Sequence, residues 1–178
     1  MKNISREIFR QIIFIIYDIV AYKFRRFIVE NYLINNKTVA LQKDNNKTII
    51  YNVDKVIVIN KNINNIIDYN CNYYGSTLIG RKKSAQQILN VKYKLPIIID
   101  DINNITIIQL NSPRNKKCLY LVTNKVIDYN ENENFLNIRC ANNINFNVKI
   151  SLMSFEKMLI KSIKLYNVLI WRKNANFL

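Results

Sequence analysis

Arg81, Lys82 and Lys83 follow directly on Gly80, and the chain contains only one other glycine, Gly75. Glycine serves where a backbone takes positive φ or lets another group approach closely. A chain that places both of its glycines so near each other, and then three cations, is expected to turn there and hold positive charge at a fixed place. The chemistry open to such a run is electrostatic. Lysine and arginine neutralise phosphates and release their counterions, so the natural partner is a polyanion whose grip weakens with salt. Lys92 and Lys94 come soon after, and Arg114, Lys116 and Lys117 crowd a second basic loop that carries a proline. Two loops of one sign weigh more than isolated lysines such as Lys43 or Lys55, which read as solvated surface. Tyr73 and Tyr74 have faces that can stack on bases; on a helix with isoleucine neighbours, at least one of them reads as core instead.

Other chemistry finds little to work with. The chain has no histidine, which removes the commonest general base and the commonest metal ligand. Asp100 and Asp101 are adjacent and project apart in extended chain. Glu131 and Glu133 fall in an expected turn with no Glu-x-Lys pattern, and Glu156 lacks an aspartate partner. No phosphate-binding loop or nucleophile elbow is present. We expect no enzyme, no cofactor and no metal. Cys71, Cys118 and Cys140 are odd in number and without CxxC spacing, so they read as reduced, buried thiols of a cytoplasmic protein.

The formal charge is +15, from 27 Lys and Arg against 12 Asp and Glu, which points to nucleic acid or an anionic membrane surface. Heavy use of Ile, Asn, Lys, Tyr and Phe is also the mark of an A- and T-rich genome, so the position of the charge matters more than its sum. At 178 residues and 49% hydrophobic, the chain fits one domain with a core.

The elements that must position these residues follow from periodicity. Residues 1–31 form an N-terminal extension, with an amphipathic helix over 5–30 that carries Ile8, Ile12, Ile15, Ile16 and Ile19 and ends in Lys23, Arg25 and Arg26. Its apolar face either packs on the domain or lies on a membrane surface or partner; with Asp18 inside and no cleavage site, it does not read as a signal sequence. In the domain, residues 32–178, strands Lys37–Gln42 and Thr48–Tyr51 flank an Asp44-Asn45-Asn46-Lys47 hairpin turn, and Val53–Ile59 adds another. A helix over Asn62–Tyr74 ends at Gly75 in the C′ position. Ser76 or Thr77 caps the next, short basic segment, and Ser84 with Gln87 has capping-box spacing for a helix over Ala85–Asn90. Strands follow at Leu95–Ile99, Ile105–Leu110, Cys118–Thr123, Lys125–Tyr129, Phe135–Ala141 and Ile144–Ile150. A helix over Ser154–Arg172 closes the chain, its apolar side either core or a dimer face. The short loops predict a mostly antiparallel sheet, and the fold class is α+β in a single domain.

The run Ile67-Asp68-Tyr69-Asn70-Cys71-Asn72-Tyr73-Tyr74-Gly75-Ser76-Thr77-Leu78-Ile79-Gly80-Arg81-Lys82 resembles the ComK competence transcription factors of Gram-positive bacteria. Their signature has Asp, Cys, two aromatics, Gly-Ser, then Gly-Arg-Lys at this spacing. Lys94-Leu95-Pro96-Ile97-Ile98-Ile99-Asp100, Ser112-Pro113-Arg114 before Cys118, and Ser154-Phe155-Glu156 extend the likeness over roughly Tyr32 to Leu169. The resemblance implies a cytoplasmic, nucleoid-associated activator of DNA-uptake genes. It would bind double-stranded AT-rich boxes, largely through the minor groove, as a homodimer or higher, and touch RNA polymerase only indirectly. Carried over by position, Gly80, Arg81 and Lys82 are the first contact candidates and Arg114 the second, with Lys83, Lys116 and Lys117 beside them. In relatives a C-terminal tail helps control activity and recognition by a proteolytic adaptor. Here the chain stops soon after Trp171, so that control is expected to be curtailed.

Overall fold

The computed structural model describes residues 32–112 and 114–175; the helix expected over 5–30 and Pro113 lie outside them. The elements run β1 (Thr38–Asp44), β2 (Lys47–Asn52), β3 (Val56–Ile59), α1 (Ile63–Tyr73), α2 (Leu78–Leu89), β4 (Ile97–Asp100), β5 (Ile105–Gln109), β6 (Leu119–Val122), β7 (Val126–Asn132), β8 (Phe135–Cys140), β9 (Asn145–Val148) and α3 (Leu152–Ala175). This is the expected α+β domain, and every strand pair is antiparallel. One sheet becomes two, however: six strands in the order β3-β2-β1-β6-β5-β4, and three in the order β7-β8-β9. The break is a 3-10 turn at Thr123–Lys125, where the Thr123 hydroxyl donates to the Thr106 carbonyl at 3.2 Å and turns the chain out of the first sheet.

The larger sheet is the middle layer. Because side chains alternate across a strand, Leu41, Ile50, Ile99, Ile107 and Tyr120 face α1 and pack on its Ile63, Ile66, Ile67 and Cys71. Their neighbours Ala40, Ile108, Leu119 and Leu121 face the other way, onto Leu136, Ile138 and Phe146 of the small sheet and Phe155 and Met158 of α3. Burial on both faces explains why β4 and β6 read as unbroken apolar runs rather than alternating ones. Ala85 and Leu89 of α2 meet Ile98 of β4 and Leu165 of α3, which fixes α2 against the sheet edge.

Asparagine does much of the work that glycine does elsewhere. Positive φ is taken by Asn45 in the β1–β2 hairpin, Asn90 at the end of α2, Asn104 before β5, and Asn142 and Asn143 between β8 and β9. Its short side chain tolerates the left-handed region better than other non-glycine residues. Asn70 has a different task. It is fully buried on α1, accepts from the Ile34 amide at 2.7 Å, and donates to the carbonyls of Tyr32 at 2.9 Å and Ile66 at 2.8 Å.

All three cysteines are free and buried. Burial pushes the Cys71 thiol up to about 11 and Cys140 up to about 12, and raises Cys118 as well. Thiolate is the reactive form. All three are therefore expected to resist a thiol reagent such as DTNB in the native protein at neutral pH and to react together on unfolding, read as absorbance with and without denaturant.

Candidate nucleic-acid interface

The Gly75–Lys83 stretch folds differently from its expected form at one point. Gly75 sits just past α1 with φ +73, and its amide donates to the Asn72 carbonyl at 3.0 Å. The second helix, however, begins at Leu78 and not beyond Ser84, so the three cations stand on α2 instead of in a loop. Thr77 caps it by accepting from the Gly80 amide at 3.0 Å, and Asp68 of α1 accepts from the Leu78 amide at 2.8 Å. Two oxygens thus satisfy amides of the first turn. Gly80 is helical, with no positive φ. What it supplies is room, since a Cβ there would stand 3.1 Å from Ser76 Oγ and 3.2 Å from Thr77 Oγ1.

A helix cannot present three consecutive side chains to one surface, because successive residues point about 100° apart. Arg81 turns inward. Its guanidinium donates to the Tyr74 carbonyl at 3.0 Å, covering the end of α1, and its Nε is buried with no hydrogen-bond partner among the described residues. It lines a cavity with Ser84, Asp101, Leu165 and Lys173, and Asp101 is paired with Lys173. Lys82 is half-buried and Lys83 exposed. Tyr74 is half-buried and packs on the α1 core, while Tyr73 is exposed and meets it edge to face.

Lys82 shares a groove with the second basic region. Its walls are Lys82 of α2, the α2–β4 loop residues Lys92 to Leu95, and Gln109 to Ser112 at the end of β5. Arg114, Lys116 and Lys117 stand exposed in the same β5–β6 loop. Asn115 folds that loop: its amide donates to the Ser112 carbonyl at 2.9 Å, and its side-chain oxygen accepts from the Lys117 amide at 2.9 Å.

The strand registers extend this collection. Gln42 pairs with Leu119, Asp44 with Lys47, and Ile97 with Ile107. One end of the six-stranded sheet therefore gathers the β1–β2 turn with Lys43 and Lys47, the β5–β6 loop and the α2–β4 loop. The Thr48 hydroxyl donates to the Lys61 carbonyl at 2.8 Å and brings that lysine to the same end. In these segments the carboxylate is Asp44. The other end holds Asp54, Asp100 and Asp101. There Asp54 meets Lys37 at 3.1 Å, and Asp100 is buried, accepting from the amides of Ile102 at 3.0 Å and Asn103 at 3.2 Å. Charge is uneven along the sheet: at the first end cations far outnumber carboxylates, whereas at the other Asp54 and Asp101 offset lysines by pairing with Lys37 and Lys173.

Two features of this end escape sequence reading. Lys47 and Lys61 are scattered in sequence and join it only through strand pairing. Tyr93, between Lys92 and Lys94, is 81% exposed at the groove wall. No group of His, Cys, Asp and Glu fit to hold a metal occurs among the described residues, and no described helix is long and apolar enough to cross a membrane. The family model described as ComK protein matches residues 29–174. No curated protein matches the chain, and no solved structure does.

Proposed function

The chain belongs to the ComK family of competence transcription factors, and from that premise we propose that it activates DNA-uptake genes by laying the basic end of its six-stranded sheet on AT-rich duplex DNA. The observation that carries this reading is the convergence of Lys82, Lys92 and Lys94 on one groove beside the loop of Arg114, Lys116 and Lys117. Spaced cations of this kind follow a phosphate backbone and supply affinity. Preference for A and T comes from shape, because a narrow A-tract minor groove concentrates negative potential and draws in basic side chains. Lys82, Lys83, Arg114, Lys116 and Lys117 are the exposed or half-exposed contacts of this proposal. Arg81 and Gly80 act from behind, by holding the α1–α2 turn that sets the direction of α2. The protein works in the cytoplasm, at the nucleoid. Its homodimer uses the outer side of α3, where Met153, Ile160, Ile163 and Trp171 are exposed.

The test is a gel-shift titration of an AT-rich against a GC-rich duplex across a salt series, with Arg81→Ala alongside. The expected result is AT preference, a log–log salt slope of about 0.9 per phosphate contact, and a large loss in Arg81→Ala with that slope preserved. Equal binding of the two duplexes would overturn the sequence-specific reading.

A further inference from the structure

Tyr93 is among the most exposed large side chains of the described protein, and the loop that carries it is held at several points. Val91 and Leu95 on either side pack against the core formed by Ala85, Leu89, Ile98 and Leu165, and Pro96 is buried. The Lys161 ammonium of α3 donates to the Tyr93 carbonyl at 3.3 Å. Lys94 sits at φ +51, a left-handed conformation that lysine adopts at a cost and that persists only where its surroundings enforce it. A slack loop would relax both features, folding the ring back on the protein and returning Lys94 to negative φ. This one holds a phenol ring outward, 81% exposed, between two lysines on the wall of the cationic groove.

An aromatic ring between cations matches what a duplex offers at a base step: an apolar stack flanked by two phosphate strands. Proteins that bend DNA from the minor groove insert a wedge of this kind, and pyrimidine–purine steps, T–A above all, unstack most readily. We propose that Tyr93 is such a wedge, entering the minor groove at a flexible step while Lys92 and Lys94 hold the phosphates on either side, so that the bound duplex is bent. This rests on the DNA-binding reading above and adds a second source of AT preference, the ease of unstacking beside the width of the groove. The ring does the work, and the hydroxyl is dispensable.

The test uses the full chain and an AT-rich duplex labelled at both ends, with energy transfer reporting the bend and a salt titration reporting affinity. Wild type and Tyr93→Phe are expected to bend a duplex with a central T–A step alike. Tyr93→Ala is expected to bind it about tenfold to a hundredfold more weakly, with the salt slope unchanged and the duplex left straight. Moving the flexible step away from the centre is expected to move the bend with it. A duplex bent equally by Tyr93→Ala and wild type would overturn the wedge, as would wild-type binding that leaves the duplex straight; in both cases DNA binding itself would stand. Failure of wild type to bind the AT-rich duplex would overturn the DNA-binding reading and the wedge with it.

Discussion

A chain carrying Lys82→Gln, Lys116→Gln and Lys117→Gln together is expected to bind AT-rich duplex ~10²–10³-fold more weakly near 0.1 M salt, with a log–log salt slope shallower by about 2.7. Counterion release sets that change, at about 0.9 ions for each phosphate left without its lysine. Lys116 and Lys117 are exposed and Lys82 is half-buried at a groove wall, so neutralising them removes charge and leaves the core untouched. The control is Lys37→Gln with Lys125→Gln, at the opposite end of the same sheet. Lys37 spends its charge on Asp54 in an exposed, solvent-screened pair, which contributes little to the fold. Those two substitutions are expected to leave the salt slope where it was. A fall proportional only to charge removed, whichever end it came from, would mean that net charge and not a localised surface carries binding.

Asn70→Ala is expected to destabilise the fold by ~2–4 kcal/mol, lowering the midpoint of thermal unfolding by roughly 5–15 °C. Among the described residues, the substitution orphans the Ile34 amide and the Tyr32 carbonyl, both bonded by this one side chain; the Ile66 carbonyl, one turn back on α1, loses a second donor. Alanine's better helix propensity returns only about 0.5 kcal/mol. The damage spreads from α1 to the entry of the domain, where the Tyr32 hydroxyl joins Thr38 and Asn52 at 2.6 Å each. Asn72→Ala, two residues on and exposed, loses one long bond to Asp68 and is expected to stay within about 0.5 kcal/mol of wild type. Differential scanning calorimetry of the two variants checks both expectations. Equal midpoints would mean that residues 32–34 are held by the sheet alone.

The parts of this fold written in local sequence are those whose causes are local. The β1–β2 hairpin forms where the Asp44-to-Lys47 turn predicts it, with Asn45 supplying the positive φ. Gly75 follows α1 as its place after a helical period requires. The start of α2 is hidden from local reading because two caps compete, Thr77 and Ser84. Thr77 prevails with the help of Asp68, ten residues back on α1, which no window around residue 80 contains. Asp100, one residue past the expected strand Leu95–Ile99, ends β4, buried and bonded by its own turn. Glu131, expected in a turn, lies on β7 and accepts from the Leu152 amide that opens α3. At the candidate site, the basic loop at 111–117 was legible as a run of like charges. The groove was not, because Lys82, Tyr93 and Asn111 meet only after α2 has packed on the edge of the sheet. The same packing splits Arg81 from its neighbours, a separation that a run of three cations hides.

The uneven placement of charge along the six-stranded sheet has a consequence in time as well as in place. A protein with its excess of cations at one end, and with Asp54 and Asp101 paired to lysines at the other, is turned by the field of a duplex before it touches it, over the ~10 Å that the field reaches at 0.1 M salt. Collisions then arrive basic end first, which raises the productive fraction and moves association toward the diffusion limit at low salt. Part of the salt dependence accordingly belongs to the on-rate, while the residence time is left to whatever contacts close once the duplex is seated.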